Sequence, residues 1–110
     1  MKKKETDKLF LKLKRKVRKV AARLGFEYNL RKIYLFGSLT DRNSFHLESD
    51  IDIAIDGLKS RDYLNLWGDF EKCLQHRFDL VNMNNVGKRF IEYILEEGEI
   101  IYDSQETQGQ

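Results

Sequence analysis

The sequence predicts one α/β domain, a small mixed β-sheet of about four strands with helices packed on it. Three observations carry that prediction. Apolar residues recur at helical spacing in three segments and form short strand-like runs in four others. The order is helix, strand, strand, helix, strand, helix, strand, and such interleaving buries both kinds of face when helices cover a sheet. The chain of 110 residues suits one modest core and leaves no room for a second, substrate-binding domain. The domain is expected over residues 1–103, with a polar, disordered tail from 104 to 110.

The first helix is expected from about Thr6 to Leu24. Leu9, Phe10, Leu13, Val17, Val20, Ala21 and Leu24 fall on one face. Thr6 suits an N-cap and Gly25 a C-terminal stop. Lys32-Ile33-Tyr34-Leu35-Phe36 is an apolar strand that runs into Gly37-Ser38. Residues 39–49 are polar, and read as a short helical turn and a loop. Asp50 to Asp56 alternates acids with isoleucines, as a half-buried strand does, and Gly57 closes it. A helix from Ser60 to about Gln75 presents Tyr63, Leu64, Trp67, Phe70 and Leu74. A strand over 77–81 follows. A helix over 86–97 presents Val86, Phe90, Ile91, Ile94 and Leu95, ends at Gly98, and gives way to a strand over 99–102.

Charge is divided along the chain. Residues 1–32 carry 13 Lys/Arg against 3 Asp/Glu, and residues 33–110 carry 7 against 15. The first helix and the remainder therefore offer docking surfaces of opposite sign. Lys12, Lys16, Lys19 and Arg23 have no interleaved aromatic residues, which weighs against nucleic acid and leaves a solvated cationic face as the plain reading. The single cysteine, Cys73, excludes an internal disulfide, reads as a small buried hydrophobe, and fits the reducing cytoplasm. No apolar run approaches the roughly 18 residues that span a bilayer. The Met-Lys-Lys-Lys start lacks the apolar run of a signal peptide.

Chemistry concentrates in three places. Asp50 and Asp52 are two residues apart on a strand, so they share a face about 7 Å apart. Two such carboxylates repel unless a cation joins them, and Mg²⁺ takes carboxylate oxygens while keeping sites open for phosphate. An isolated Asp-x-Asp is ordinarily just a strand's solvent face. An EF-hand is excluded, because Ala54 and Ile55 stand where a ligand and a glycine are required. Asp79 lies between Phe78 and Leu80 and faces away from them. Gly37-Ser38 ends an apolar strand, where a glycine permits a sharp turn and amides are free for phosphate. No Walker loop is present. His46 and His76 read as surface residues, Trp67, Phe70 and Tyr34 as packing, and Asp56 as solvated.

Together these features resemble the DNA polymerase beta-like nucleotidyltransferase superfamily over residues 8–103. The matching residues are Leu35-Phe36-Gly37-Ser38, Ser49-Asp50-Ile51-Asp52-Ile53-Ala54-Ile55 and Phe78-Asp79-Leu80-Val81. Ile94 to Tyr102 is similar to the end of small stand-alone members. Eleven residues, Leu39 to Ser49, separate Gly-Ser from Asp50, one more than is usual. Asp41 stands near the place of a family arginine, with Arg42 next to it.

The resemblance implies a polymerase beta-like fold in which Gly37, Ser38 and Arg42 hold the nucleotide triphosphate. Asp50, Asp52 and Asp79 would be catalytic and would bind two Mg²⁺ ions. The chain's brevity makes it similar to minimal nucleotidyltransferases (MNT proteins), which pair with helical HEPN proteins resembling RNase toxins. The implied activity is transfer of AMP from ATP to a tyrosine of a HEPN-type toxin, by an antitoxin acting within a cytoplasmic hetero-oligomer. Two alternatives stand beside it: a non-catalytic antitoxin that works by binding, and a nucleotidyltransferase subunit acting on a small-molecule acceptor. Nucleic-acid binding through residues 2–23 would show strong salt dependence retained in Asp50→Ala.

Overall fold

The structure, a computed structural model, describes residues 2–108. It is an α/β fold whose elements are α1 (Lys2–Glu27), β1 (Lys32–Phe36), β2 (Ile51–Asp56), α2 (Tyr63–Leu74), β3 (Phe78–Asn82), α3 (Lys88–Glu97), β4 (Glu99–Asp103) and α4 (Ser104–Gln108). The four strands form one mixed sheet in the order β3-β2-β1-β4. β1 runs antiparallel to both β2 and β4, and β2 runs parallel to β3.

Strand parity divides the core. Ile33, Leu35, Ile51, Ile53, Ile55 and Leu80 point to one face, where Phe10, Leu13, Val17, Ala21 and Leu24 of α1 cover them. Leu66, Phe70 and Leu74 of α2 complete that layer. Tyr34, Phe36 and Ala54 point the other way and pack against Met83 and Ile94, with Val81, Phe90 and Ile91 at the margin.

α1 is longer than its expected span at both ends. Thr6 is inside it and does not cap it, and Gly25 does not stop it. Gly25 instead lets the ring of Tyr102 lie against the helix backbone, since a Cβ there would be 2.5 Å from that ring. The chain turns later, at Asn29, with φ at 55°. Lys14 and Arg18 then pair with Glu99, tying α1 to the start of β4.

The stripe of α2 is also corrected. A short 3-10 turn, Ser60–Asp62, precedes the helix, so Ser60 does not cap it. Leu66, Phe70 and Leu74 form the buried row at i, i+4 and i+8, while Leu64 is 80% exposed. Two residues correspond to about 200° of helix rotation, so Leu64 cannot share a face with Leu66. Trp67 is 37% exposed and rests on Phe78 at 5.2 Å between ring centroids. On α3, Ile94 is buried but Leu95 is 56% exposed, because the sheet receives only a narrow stripe of that helix.

The expected disordered tail begins with helix: Ser104–Gln108 are helical. Residues 109 and 110 of that tail, and residue 1 of the expected domain, lie outside the described residues. No helix among the described residues is long and apolar enough to cross a membrane.

Candidate active site

β1 delivers the chain to a turn that only glycine can make. After Phe36 a 3-10 turn, Gly37–Thr40, begins with Gly37 at φ 74°. A Cβ at Gly37 would also collide with the Asp52 carboxylate. The absent side chain therefore serves both conformation and close approach. The Thr40 hydroxyl donates to the Gly37 carbonyl at 2.7 Å, and fully buried Leu39 anchors the turn.

Asp52 pairs with Phe36 across β1 and β2, and with Asp79 across β2 and β3. Parity thus puts Asp52 and Asp79 side by side on the α3 face. Burial, then Asp79, then Asp50 push the Asp52 carboxyl up to about 6. Mutual repulsion of carboxylates is the condition that a hard divalent cation relieves.

Asp50 immediately precedes β2. Its Oδ1 accepts from Arg77 Nε at 2.9 Å, and Arg77 also donates to the Glu48 carbonyl at 2.5 Å. His76 Nε2 lies 2.9 Å from the Ser49 carbonyl, so this histidine pins the segment beside Asp50 and is only part-exposed. Among the described residues no three acidic, histidine or cysteine side chains are already gathered around one metal position, Asp50 being drawn to Arg77. The donor set itself, three carboxylates with that of Asp52 raised to about 6, fits Mg²⁺.

A groove of about 590 Å³ opens beside the turn. Gly37, Ser38, Thr40, Asp41 and Ser44 form one wall, and α3 forms the other with Arg89, Glu92, Tyr93, Glu96 and Glu97. Arg42 does not line it. Its guanidinium sits 5.6 Å over the ring of Phe10 and 4.0 Å from Asp7, against α1. Asp41, near the place of the family arginine, holds its own loop by accepting from Asn43 N–H and the Ser44 hydroxyl.

Sequence reasoning passed over Arg77 and Arg89. Arg77 is two residues before Asp79, a usable signal once β2 and β3 are known to be parallel neighbours. Arg89 carried no signal beyond its charge.

The family model described as polymerase beta, nucleotidyltransferase matches residues 13–107. No curated protein matches. Among solved structures, the chain is similar to one in a crystal structure of a toxin–antitoxin with AMP-PNP. The identity is 25% and the TM-score 0.65, covering 82% of this chain and 76% of that one. It is also similar to a chain of the toxin–antitoxin MntA–HepT, at 24% identity and TM-score 0.57 over 86% and 74%. A third is tri-AMPylated Shewanella oneidensis HEPN toxin in complex with MNT antitoxin, at 23% identity and TM-score 0.58 over 91% and 77%. The last two likenesses speak to the fold.

Proposed function

The chain belongs to the polymerase beta nucleotidyltransferase family, and on that premise we propose that it is an MNT antitoxin that transfers AMP from ATP to a tyrosine hydroxyl of a HEPN-type toxin. The observation that carries this reading is the register of Asp52 with Asp79 beside the Gly37 turn. The similarity to toxin–antitoxin chains, one with AMP-PNP and one with an AMPylated toxin, supports the choice of donor and partner.

In this reading the amides of the Gly37–Thr40 turn and the Ser38 hydroxyl receive the triphosphate. Asp50, Asp52 and Asp79 hold two Mg²⁺ ions. When bound, the ions neutralise phosphate charge and make the acceptor hydroxyl easier to deprotonate. The tyrosine oxygen attacks the α-phosphorus, the bond from that phosphorus to the bridging oxygen breaks, and pyrophosphate leaves. Asp79, exposed on edge strand β3, takes the hydroxyl proton at its carboxylate. Asp52 is buried deeper and stays a fixed charge. Most of the rate comes from placement and charge neutralisation. The acceptor comes from the partner, so the active unit is a hetero-oligomer, and ATP as donor sets the reaction in the cytoplasm.

The test mixes the protein, its toxin partner, ATP and Mg²⁺ and reads the toxin by intact mass. The expected result is a gain of one or more AMP groups on tyrosine, lost in EDTA and in Asp52→Ala. No gain with wild type, together with full neutralisation by Asp52→Ala, rejects the enzymatic reading and leaves an antitoxin that acts by binding.

A further inference from the structure

The parallel register of β2 and β3 pairs Ile51 with Phe78 and Asp52 with Asp79. Extended one residue back, it sets Asp50 beside Arg77, and there the Ile51 N–H donates to the Arg77 carbonyl at 3.0 Å. Neighbouring rungs therefore differ in sign. Asp52 and Asp79 carry like charges and repel, whereas Asp50 and Arg77 carry unlike charges and attract. Of the three acids, only Asp50 has an ion-pair partner among the described residues.

Arg77 holds at two points. Its Nε donates to Asp50 Oδ1 at 2.9 Å, and its Nη2 donates to the Glu48 carbonyl. The contact of His76 with the Ser49 carbonyl anchors the same segment independently, so the loop keeps its place when Asp50 is released.

The hold on Asp50 is easily exchanged. The Arg77 side chain is 63% exposed and that of Asp50 48%, and water competes with an ion pair at such exposure. Both residues border a groove of about 580 Å³, which gives the guanidinium room to swing without disturbing the core. A guanidinium stays charged at any ordinary pH, so it leaves a carboxylate by moving and not by losing a proton. A divalent cation brings twice its charge and binds carboxylate oxygens directly.

We propose that Arg77 is a positioning residue that keeps Asp50 out of the metal position until a divalent cation displaces it. This rests on the reading of Asp50, Asp52 and Asp79 as metal ligands.

The test titrates Mn²⁺, which prefers the same oxygen donors as Mg²⁺, into the full chain and reads free Mn²⁺ by electron spin resonance. An exposed ion pair is worth up to about fivefold in an equilibrium constant. Arg77→Met keeps the stem and removes the donors, and should bind Mn²⁺ more tightly by up to that factor. Arg77→Lys should fall between it and wild type. In an Asp50→Ala background, Arg77→Met should change the affinity little, because the group it competes for is gone. A second readout needs no variant: in wild type, the Arg77 Nε–H resonance should lose its protection from exchange with water as Mg²⁺ is added.

If wild type binds Mn²⁺ and Arg77→Met binds it no more tightly, the proposal for Arg77 falls and the metal-ligand reading stands. An equal gain in the Asp50→Ala background also overturns it, since the effect would then be the general field of a cation. An Arg77 Nε–H that stays protected at saturating Mg²⁺ does the same. If wild type binds no Mn²⁺, both readings fall together.

Discussion

The two faces of the sheet are made by alternate residues of the same strands, yet they are finished differently. One face carries Ile33, Leu35, Ile51, Ile53, Ile55 and Leu80 under two helices. The other is covered by α3 and Met83, and it carries Asp52, beside Gly37, paired with Asp79. The first face supplies the stability that apolar burial gives. The second half-buries Asp52 beside other acids, and burial first, then Asp79 and Asp50, raises it to about 6. A small domain thus separates its tasks by strand parity: one set of residues holds the fold while the other holds charge that the fold by itself does not favour.

The widest way to break that comparison is to remove the charge. Asp52→Asn and Asp79→Asn should each lower AMP transfer by about 10³-fold or more, since they remove transition-state charge stabilisation. Neither should lower the melting temperature. A variant that loses activity only by unfolding would mean that both faces are structural.

Substitution on the opposite face should do the reverse. Phe70 is fully buried beneath α2, and Phe70→Ala should cost about 3–5 kcal/mol in urea unfolding. Transfer per folded molecule should stay near the wild-type value. A specific loss of kcat in the folded fraction would show that the two faces are coupled.

A smaller effect is expected at the seam between α1 and β4. Gly25→Ala should overpack the Tyr102 ring at a cost of about 1–3 kcal/mol, offset by up to about 1 kcal/mol of helix propensity. A net gain in the urea midpoint would mean that Tyr102 moves aside freely.

The subtlest prediction concerns pH in the absence of metal. The folded protein favours protonated Asp52 more than the unfolded chain does. That preference supports folding fully below 3.8 and is lost as pH rises through about 6. In EDTA, Asp52→Asn should therefore melt above wild type at neutral pH. The gap should close as pH falls from 7 toward 4. A gap that is constant across this range would remove the burial and repulsion of the Asp52 carboxylate as its cause.

Much of this was legible in the residues, and the failures are instructive. Lys32–Phe36 was bounded correctly because an apolar run ends at a glycine that must turn. Asp52 was placed on the side away from the isoleucines because alternation admits no other choice, whereas Asp50, expected in the same strand, lies just outside β2 and turns to Arg77. The stripe of α2 was misread because Leu64, Leu66 and Trp67 are all apolar, and only docking on the sheet selects which of them face inward. Gly25 was read as a stop because the partner that explains it, Tyr102, is far away in sequence. Arg42 was drawn to the nucleotide by its position in the chain, whereas the structure sets it on α1 and turns Arg89 toward the groove.

By itself the sequence determined the α/β class, the order of elements, and the side of its strand on which Asp52 lies. These follow from the direction in which successive side chains leave a helix or a strand, a local property of the backbone. Tertiary structure alone decided that β3 lies beside β2, that Asp79 therefore meets Asp52, that Gly37 abuts the Asp52 carboxylate, and that Arg89 borders the groove. Those relations depend on how helices distant in sequence bury their apolar stripes against one sheet. No short stretch of residues contains that information.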